Sequence, residues 1–199
     1  MAEIDERVRS LLAAGDVTGA VTVTLRELGP EILGFLSGAL GNDDDADEVF
    51  ASLSVRLWQS LDGFEGRCSV RTWTYVLARH EIGRYRRGVR RHEDGRVPIS
   101  ELQDVLAAAR TTTRSRMVAD KRQQLIDLRD QLPKDDRTLL ILRVDRNLAW
   151  EDIALAFAET PEALGEDDRR RESARLRKRF QILKRRLVEQ VRGADLVHK

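Results

Sequence analysis

Apolar residues separated by three and four positions recur from one end of this chain to the other, a spacing that fits helices and leaves little room for sheet. Period-two alternation of β-branched residues surfaces only briefly, at Val21–Thr24. The expected fold class is therefore all-α. A first helix over Glu3–Ala14 places Ile4, Val8, Leu11 and Leu12 on one side and stops at Gly15. A second spans Val17–Leu40, where Gly29-Pro30 is expected to kink or divide it. Gly41-Asn42 breaks the chain. Asp43, Asp44 and Asp45 then occupy the N-cap and first turn of an amphipathic run ending at Leu61, their charge opposing the positive helix end. From Ser69 a helix is predicted to about Arg91, with Val70, Trp73, Val76 and Leu77 on one face and Thr72, Tyr75, Arg79, Arg86 and Arg90 on the other.

Gly95, Pro98 and the polar run Thr111–Ser115 mark His92–Arg116 as a linker, with at most one short helix at Glu101–Arg110. Two small helical domains, 1–92 and 125–199, are thus expected on either side of a flexible linker, 93–124. The second domain opens with Leu125, Leu128, Leu132 and Pro133, continues through Leu139–Leu142, and turns tightly at Asp145–Asn147 before the short helix Trp150–Phe157. Short helices around tight turns suggest helix-turn-helix. After a polar interval, Thr160–Arg170, the last helix carries Leu176, Phe180, Leu183, Leu187 and Val191 as an inward stripe. Arg171, Arg175, Lys178, Gln181 and Arg185 face outward, a pattern suited to phosphates and guanine edges in a major groove.

Charge is balanced overall, 35 Lys+Arg against 34 Asp+Glu, but unevenly placed. Residues 1–64 hold 4 basic and 12 acidic side chains, and 65–92 hold 8 and 2. The order repeats, with 5 and 12 over 126–168 and then 12 and 3 over 169–199. Two separate basic blocks on a nearly neutral chain point to two anionic contact surfaces, with nucleic acid as the leading partner. A lone Cys68 precludes an internal disulfide, and His80, His92 and His198 are too scattered to build a metal site. No glycine-rich phosphate loop and no catalytic constellation are visible, so neither an enzyme nor a cofactor is expected. Without a leader pattern or a run of 18 apolar residues, the expected address is cytoplasmic, with no membrane insertion.

Each feature has a plainer reading. A basic helix face is usually a solvated surface, Cys68 fits as a small residue in a tight loop, and the three aspartates fit as caps. Trp73 shares a face with Val70 and Leu77 and reads as core, which leaves Tyr75 as the better stacking candidate. His80 suits DNA contact or a helix surface equally.

In combination the residues resemble a family. Asp45-Ala46-Asp47-Glu48, Arg56-Leu57-Trp58, Phe64-Glu65-Gly66, Arg71-Thr72-Trp73, Ala78-Arg79-His80 and Tyr85-Arg86-Arg87, in that order, resemble region two of a bacterial RNA polymerase sigma factor of the extracytoplasmic-function group. Leu132-Pro133, Arg137, Leu140-Ile141-Leu142-Arg143 and Leu148-Ala149-Trp150-Glu151-Asp152-Ile153-Ala154, followed by the basic helix, resemble region four.

The resemblance implies a transcription initiation factor whose partners are core RNA polymerase and promoter DNA, with an anti-sigma protein as a further candidate partner. On it, helix Asp47–Trp58 binds polymerase, with Asp47, Glu48, Ala51, Ser52, Val55 and Arg56 as contact residues. The loop Glu65–Val70, with Glu65, Gly66, Arg67, Cys68 and Ser69 and then Arg71 and Tyr75, holds a base flipped from the melted strand, at a cost of a few kcal/mol in unstacking. Arg79, His80, Arg86, Arg87 and Arg90 meet the downstream promoter element, and Arg171, Arg175, Lys178, Arg179, Gln181 and Arg185 the upstream one. The linker threads through the polymerase. The chain departs from the family pattern at Ala51, Ser52 and Ser54, where Gln, an acidic residue and Phe are common, at His80 and Arg84, where Asn and Asp are common, and at Ala149, where a hydroxyl N-cap is usual. The turn Thr160–Arg170 is longer than usual. Two alternatives stay open: a stand-alone helix-turn-helix regulator, and a polymerase-binding protein without melting activity. A stand-alone reader usually dimerises on paired half-sites, whereas no obvious dimer helix is present and a monomer is expected.

Overall fold

The computed structural model describes residues 2–88, 129, 131–159 and 164–197, with side chains at 3–88, 129, 131–159 and 164–190. The chain divides into two compact units, Met1–Met117 and Val118–Lys199. The expected linker and its short helix, with Arg90, Leu125 and Leu128, lie outside the described residues, and every regular element among the described residues is helical.

The first unit is built around α2 (Val17–Leu40), the most apolar of its helices, which packs against α1 (Ala2–Ala13), α3 (Asp43–Ser60) and α4 (Val70–Arg86). Ile32, Phe35 and Leu36 of α2 meet Phe50, Leu53 and Leu57 of α3 and Val76 and Ile82 of α4 in a fully buried core. Each such side chain stabilises the fold by about 1.5–3 kcal/mol. Capping delimits the helices. Asp16 accepts from Gly19 N at 2.8 Å to start α2, and Gly41, at φ +76, ends it in the left-handed conformation that glycine adopts without strain. Asn42 caps α3 by accepting from Asp44 N at 2.8 Å, and Asp43–Asp45 fill its first turn.

Two expectations are corrected here. Pro30 does not divide α2, which runs unbroken. Proline removes one hydrogen bond, to the carbonyl of exposed Arg26, while Leu28, Ile32 and Leu33 on either side are buried and hold the helix together. Helix α4 ends at Arg86, short of Arg91, because Gly88 takes φ +67 immediately beyond.

The second unit comprises α5 (Lys134–Leu140), a turn of π-helix (Ile141–Asp145), α6 (Trp150–Phe157) and the long α7 (Glu166–Val197). Between the π-turn and α6 the chain reverses through Asn147 at φ +51, one of the few residue types enriched there. Arg143 secures the reversal by donating to Leu148 O at 2.7 Å with its guanidinium over the Trp150 ring. Leu139, Ile141, Leu142, Leu148, Ile153 and Ala154 form the core with Leu176 and Leu183 of α7. Of the expected inward stripe, Phe180 and Leu187 are only half-buried, Phe180 lying edge-on to Trp150 at 5.5 Å.

The polar interval is also shorter than expected, since α7 begins at Glu166 rather than after Arg170. Glu166, Asp167 and Asp168 read as loop residues, but their charge favours the positive end of a helix and places them in its first turn. Residues 160–163 lie outside the described set.

Candidate functional site

Helix α3 divides lengthwise. Ala46, Val49, Phe50, Leu53 and Leu57 face the core, joined by Ser54, whose hydroxyl donates to Phe50 O at 2.9 Å. Asp47, Glu48, Ala51, Ser52, Val55 and Arg56 are kept out of the core on the other side. Trp58, 39 % exposed, extends that outer face by three residues from Val55. It stood in the quoted sequence pattern, and helical spacing from Val55 was the signal that it belongs with the contact residues.

Beyond α3, a single 3-10 turn, Leu61–Gly63, leads into the loop 64–69. Gly66 there takes φ +72, and exposed Glu65 and Arg67 pair at 2.5 Å. Phe64 lies 5.9 Å from the Trp73 ring. Trp73 is half-buried, and its indole nitrogen is buried without a hydrogen-bond partner. Ser69 caps α4 by accepting from Thr72 N at 3.0 Å.

Two residues assigned to this loop's function are engaged elsewhere. Tyr75 is fully buried, edge-on to Phe35 at 5.2 Å, and donates to Glu31 Oε1 at 2.7 Å. It is not placed to stack on a base. The outward prediction failed because α4 packs against both α2 and α3, which buries Thr72 and Tyr75 as well as Val76. Arg71 donates to the same Glu31 oxygen from Nε at 3.0 Å and also through its terminal nitrogen. Burial alone lowers the Arg71 pKa, but the hydrogen bond and charge of Glu31 outweigh it and raise the value. The aromatic ring left beside the loop is Trp73, which the sequence reading gave to the core.

Arg79 and His80 are half-buried and Arg87 is exposed. Arg86 donates to Ala39 O at 2.9 Å, satisfying a carbonyl at the end of α2. Tyr85 donates to Asp45 Oδ1 at 2.6 Å. Helix α4 is therefore tied by polar contacts to both α2 and α3.

In the second unit, Arg171, Arg175, Lys178, Gln181 and Arg185 are all exposed along α7, as predicted. Arg171 pairs with Asp168 at 2.6 Å and Arg175 with Glu172 at 2.7 Å, a bond that raises the pKa of its guanidinium. Arg179 differs: its Nε donates at 2.6 Å to Asp136, whose side chain is 12 % exposed, pinning α7 to α5. It is a strut between helices rather than an outward reader. Beside it a cleft of about 370 Å³ is lined by Lys178, Ile182 and Arg186. No group of His, Cys, Asp and Glu among the described residues is arranged to hold a metal ion, and no helix among them is long and apolar enough to cross a membrane.

Residues 24–92 match the family model for sigma-70 region 2, a segment that contains α3, the 64–69 loop and α4. The chain is also 29 % identical over 136 residues to the RNA polymerase sigma factor YlaC of Bacillus subtilis, an alignment covering 65 % of this chain and 74 % of that protein. Because the aligned length exceeds the region 2 match, the similarity to the Bacillus sigma factor continues outside it. The resemblance to sigma factors read from the motifs is thus supported by a family model and by a relative.

Proposed function

We propose that this chain is a transcription initiation sigma factor that binds core RNA polymerase through the outer face of α3, opens promoter DNA at the 64–69 loop, and reads an upstream element with α7. The observation that carries the reading is the division of α3. Its buried face fully accounts for its place in the fold, yet Ala51, Val55 and Trp58 are left partly in solvent on the other side, beside Glu48 and Ser52. An apolar strip with a polar rim is what a docking surface requires.

The loop offers an exposed backbone around Gly66, flanked by the paired Phe64 and Trp73, where an unstacked base finds aromatic surface. Arg79 and His80 lie further along the same helix, with Arg87 just past its end, and suit the edge of the opened element. In the second unit, which we take as region four, α5 and α6 support α7, whose outward cations suit the major groove. Neither basic face alone gives strong binding, since each makes few phosphate contacts, so polymerase supplies the affinity. We take the factor to act as a monomer in the cytoplasm, with an anti-sigma protein as a candidate further partner.

Reconstitution with bacterial core polymerase and fragments from upstream of its own gene tests the reading. Co-elution with permanganate-reactive thymines near a start site supports it. Co-elution without opening leaves a polymerase-binding protein, and absence of co-elution favours the stand-alone regulator.

A further inference from the structure

Asp5, in the first turn of α1, accepts a hydrogen bond from Val70 N at 2.7 Å across 65 positions of sequence. Val70 is the first residue of α4, and its amide is one of the donors that a helix start leaves without an internal partner. The local cap, Ser69, uses its hydroxyl oxygen on Thr72 N. Asp5 fills the neighbouring vacancy with a carboxylate, which is favoured at the positive end of a helix and makes a charge-assisted bond. The carboxylate is carried on a fixed element, because Val8 anchors α1 in the core with no exposure.

We infer that Asp5 is a positioning residue for the 64–69 loop, so that the base-holding element of this factor is completed by a helix lying upstream of the region 2 match. The inference rests on the proposed role of that loop. At its entry the loop is fixed by Phe64 N donating to Leu61 O at 3.1 Å and by the contact of Phe64 with Trp73. At its exit the chain direction is set at Ser69 and Val70, where Asp5 ties the backbone to α1, while Arg71 one residue on is held by Glu31 of α2. Between the two ends Gly66 gives the backbone its freedom. Losing the Asp5 bond loosens the first amide of α4 and with it the loop exit, while α3 and its outer face keep their packing.

Two measurements on the full chain separate this inference from the reading beneath it. In amide hydrogen exchange, Asp5→Ala is expected to speed exchange at residues 64–72 by about fivefold or more and to leave α3 unchanged, the loss of one hydrogen bond being of that order. Asp5→Asn keeps an oxygen acceptor and is expected to fall between. With core polymerase on a promoter the wild type opens, Asp5→Ala is expected to reduce permanganate reactivity about fivefold at unchanged polymerase affinity, with Asn restoring much of it. Exchange unaltered in Asp5→Ala, or altered equally throughout α1 to α4, overturns the positioning role whatever the factor does to DNA. A wild type that opens no promoter counts against the initiation reading, and the exchange result still decides the inference.

Discussion

Glu31 and Tyr75 join the middle of α2 to the middle of α4 through a hydrogen bond of 2.7 Å, and Arg71 reaches the same carboxylate oxygen from one turn earlier on α4. The Arg71 guanidinium also stands 5.4 Å from the centre of the Tyr75 ring. Three polar groups thus satisfy one another in a largely apolar setting, where leaving any of them alone is costly. Removing Glu31 takes a shared acceptor from two donors, whereas removing the Tyr75 hydroxyl leaves the Glu31 carboxylate still bound by Arg71. Tyr75→Phe is expected to lower the stability of the first unit by about 1 kcal/mol and Glu31→Ala by about 2 kcal/mol, the second discounted for partial solvent access. Urea denaturation followed by exchange in α4 measures both, and equal effects would contradict the shared-acceptor arrangement.

The pH response of this clasp follows from the direction of the Arg71 shift. Its pKa is raised on folding, so the stabilisation it contributes is fully present below its unfolded value and is lost only as pH rises through the folded one. Both values lie far above neutrality. The difference in stability between wild type and Arg71→Leu is therefore expected to show no dependence on Arg71 ionisation between pH 7 and about 9, read from denaturation midpoints across that range.

The outer face of α3 is expected to tolerate a charge structurally but not functionally. Val55→Asp, at a half-buried position outside the core, should leave the melting temperature within about 2 °C and weaken core polymerase binding tenfold or more, a loss of about 1.4 kcal/mol. Leu53→Ala, a fully buried neighbour, should unfold the unit more easily by about 2–5 kcal/mol. Undiminished polymerase binding by Val55→Asp would move the docking surface elsewhere.

Lys178 and Arg179 are adjacent in sequence but differ in role. Lys178 is exposed, whereas Arg179 is bound to Asp136. Lys178→Ala is expected to weaken upstream-element binding and lower the salt slope by about one if its partner is a phosphate. Arg179→Ala is expected to destabilise the second unit by about 1–3 kcal/mol, because Asp136 is left largely buried without its partner, and to change the salt slope little. Titrations at several salt concentrations distinguish the two, and a full unit of slope lost in Arg179→Ala would return it to the DNA-facing set.

Much of this architecture was legible in the sequence because helical periodicity and caps are local signals. Trp150–Phe157 came out at its observed bounds, and the exposed cations of α7 followed from the spacing of Leu176 and Leu183. What escaped was set by distant partners. Tyr75 projects away from Val70 on a helical wheel, yet α4 is covered on more than one side, so the wheel alone misplaces it. Pro30 reads as a break until the buried neighbours around it are known. The bonds from Asp5 to Val70 and from Asp136 to Arg179 span 65 and 43 positions, and no spacing rule reaches that far.

The most direct test of the account is run-off transcription with purified core polymerase on fragments from upstream of the factor's own gene, comparing wild type with Val55→Asp. The account predicts a discrete transcript that depends on the wild-type factor and is lost in the variant while the variant stays folded. A wild-type factor that co-elutes with polymerase yet yields no transcript on any promoter to which it directs the enzyme would contradict it.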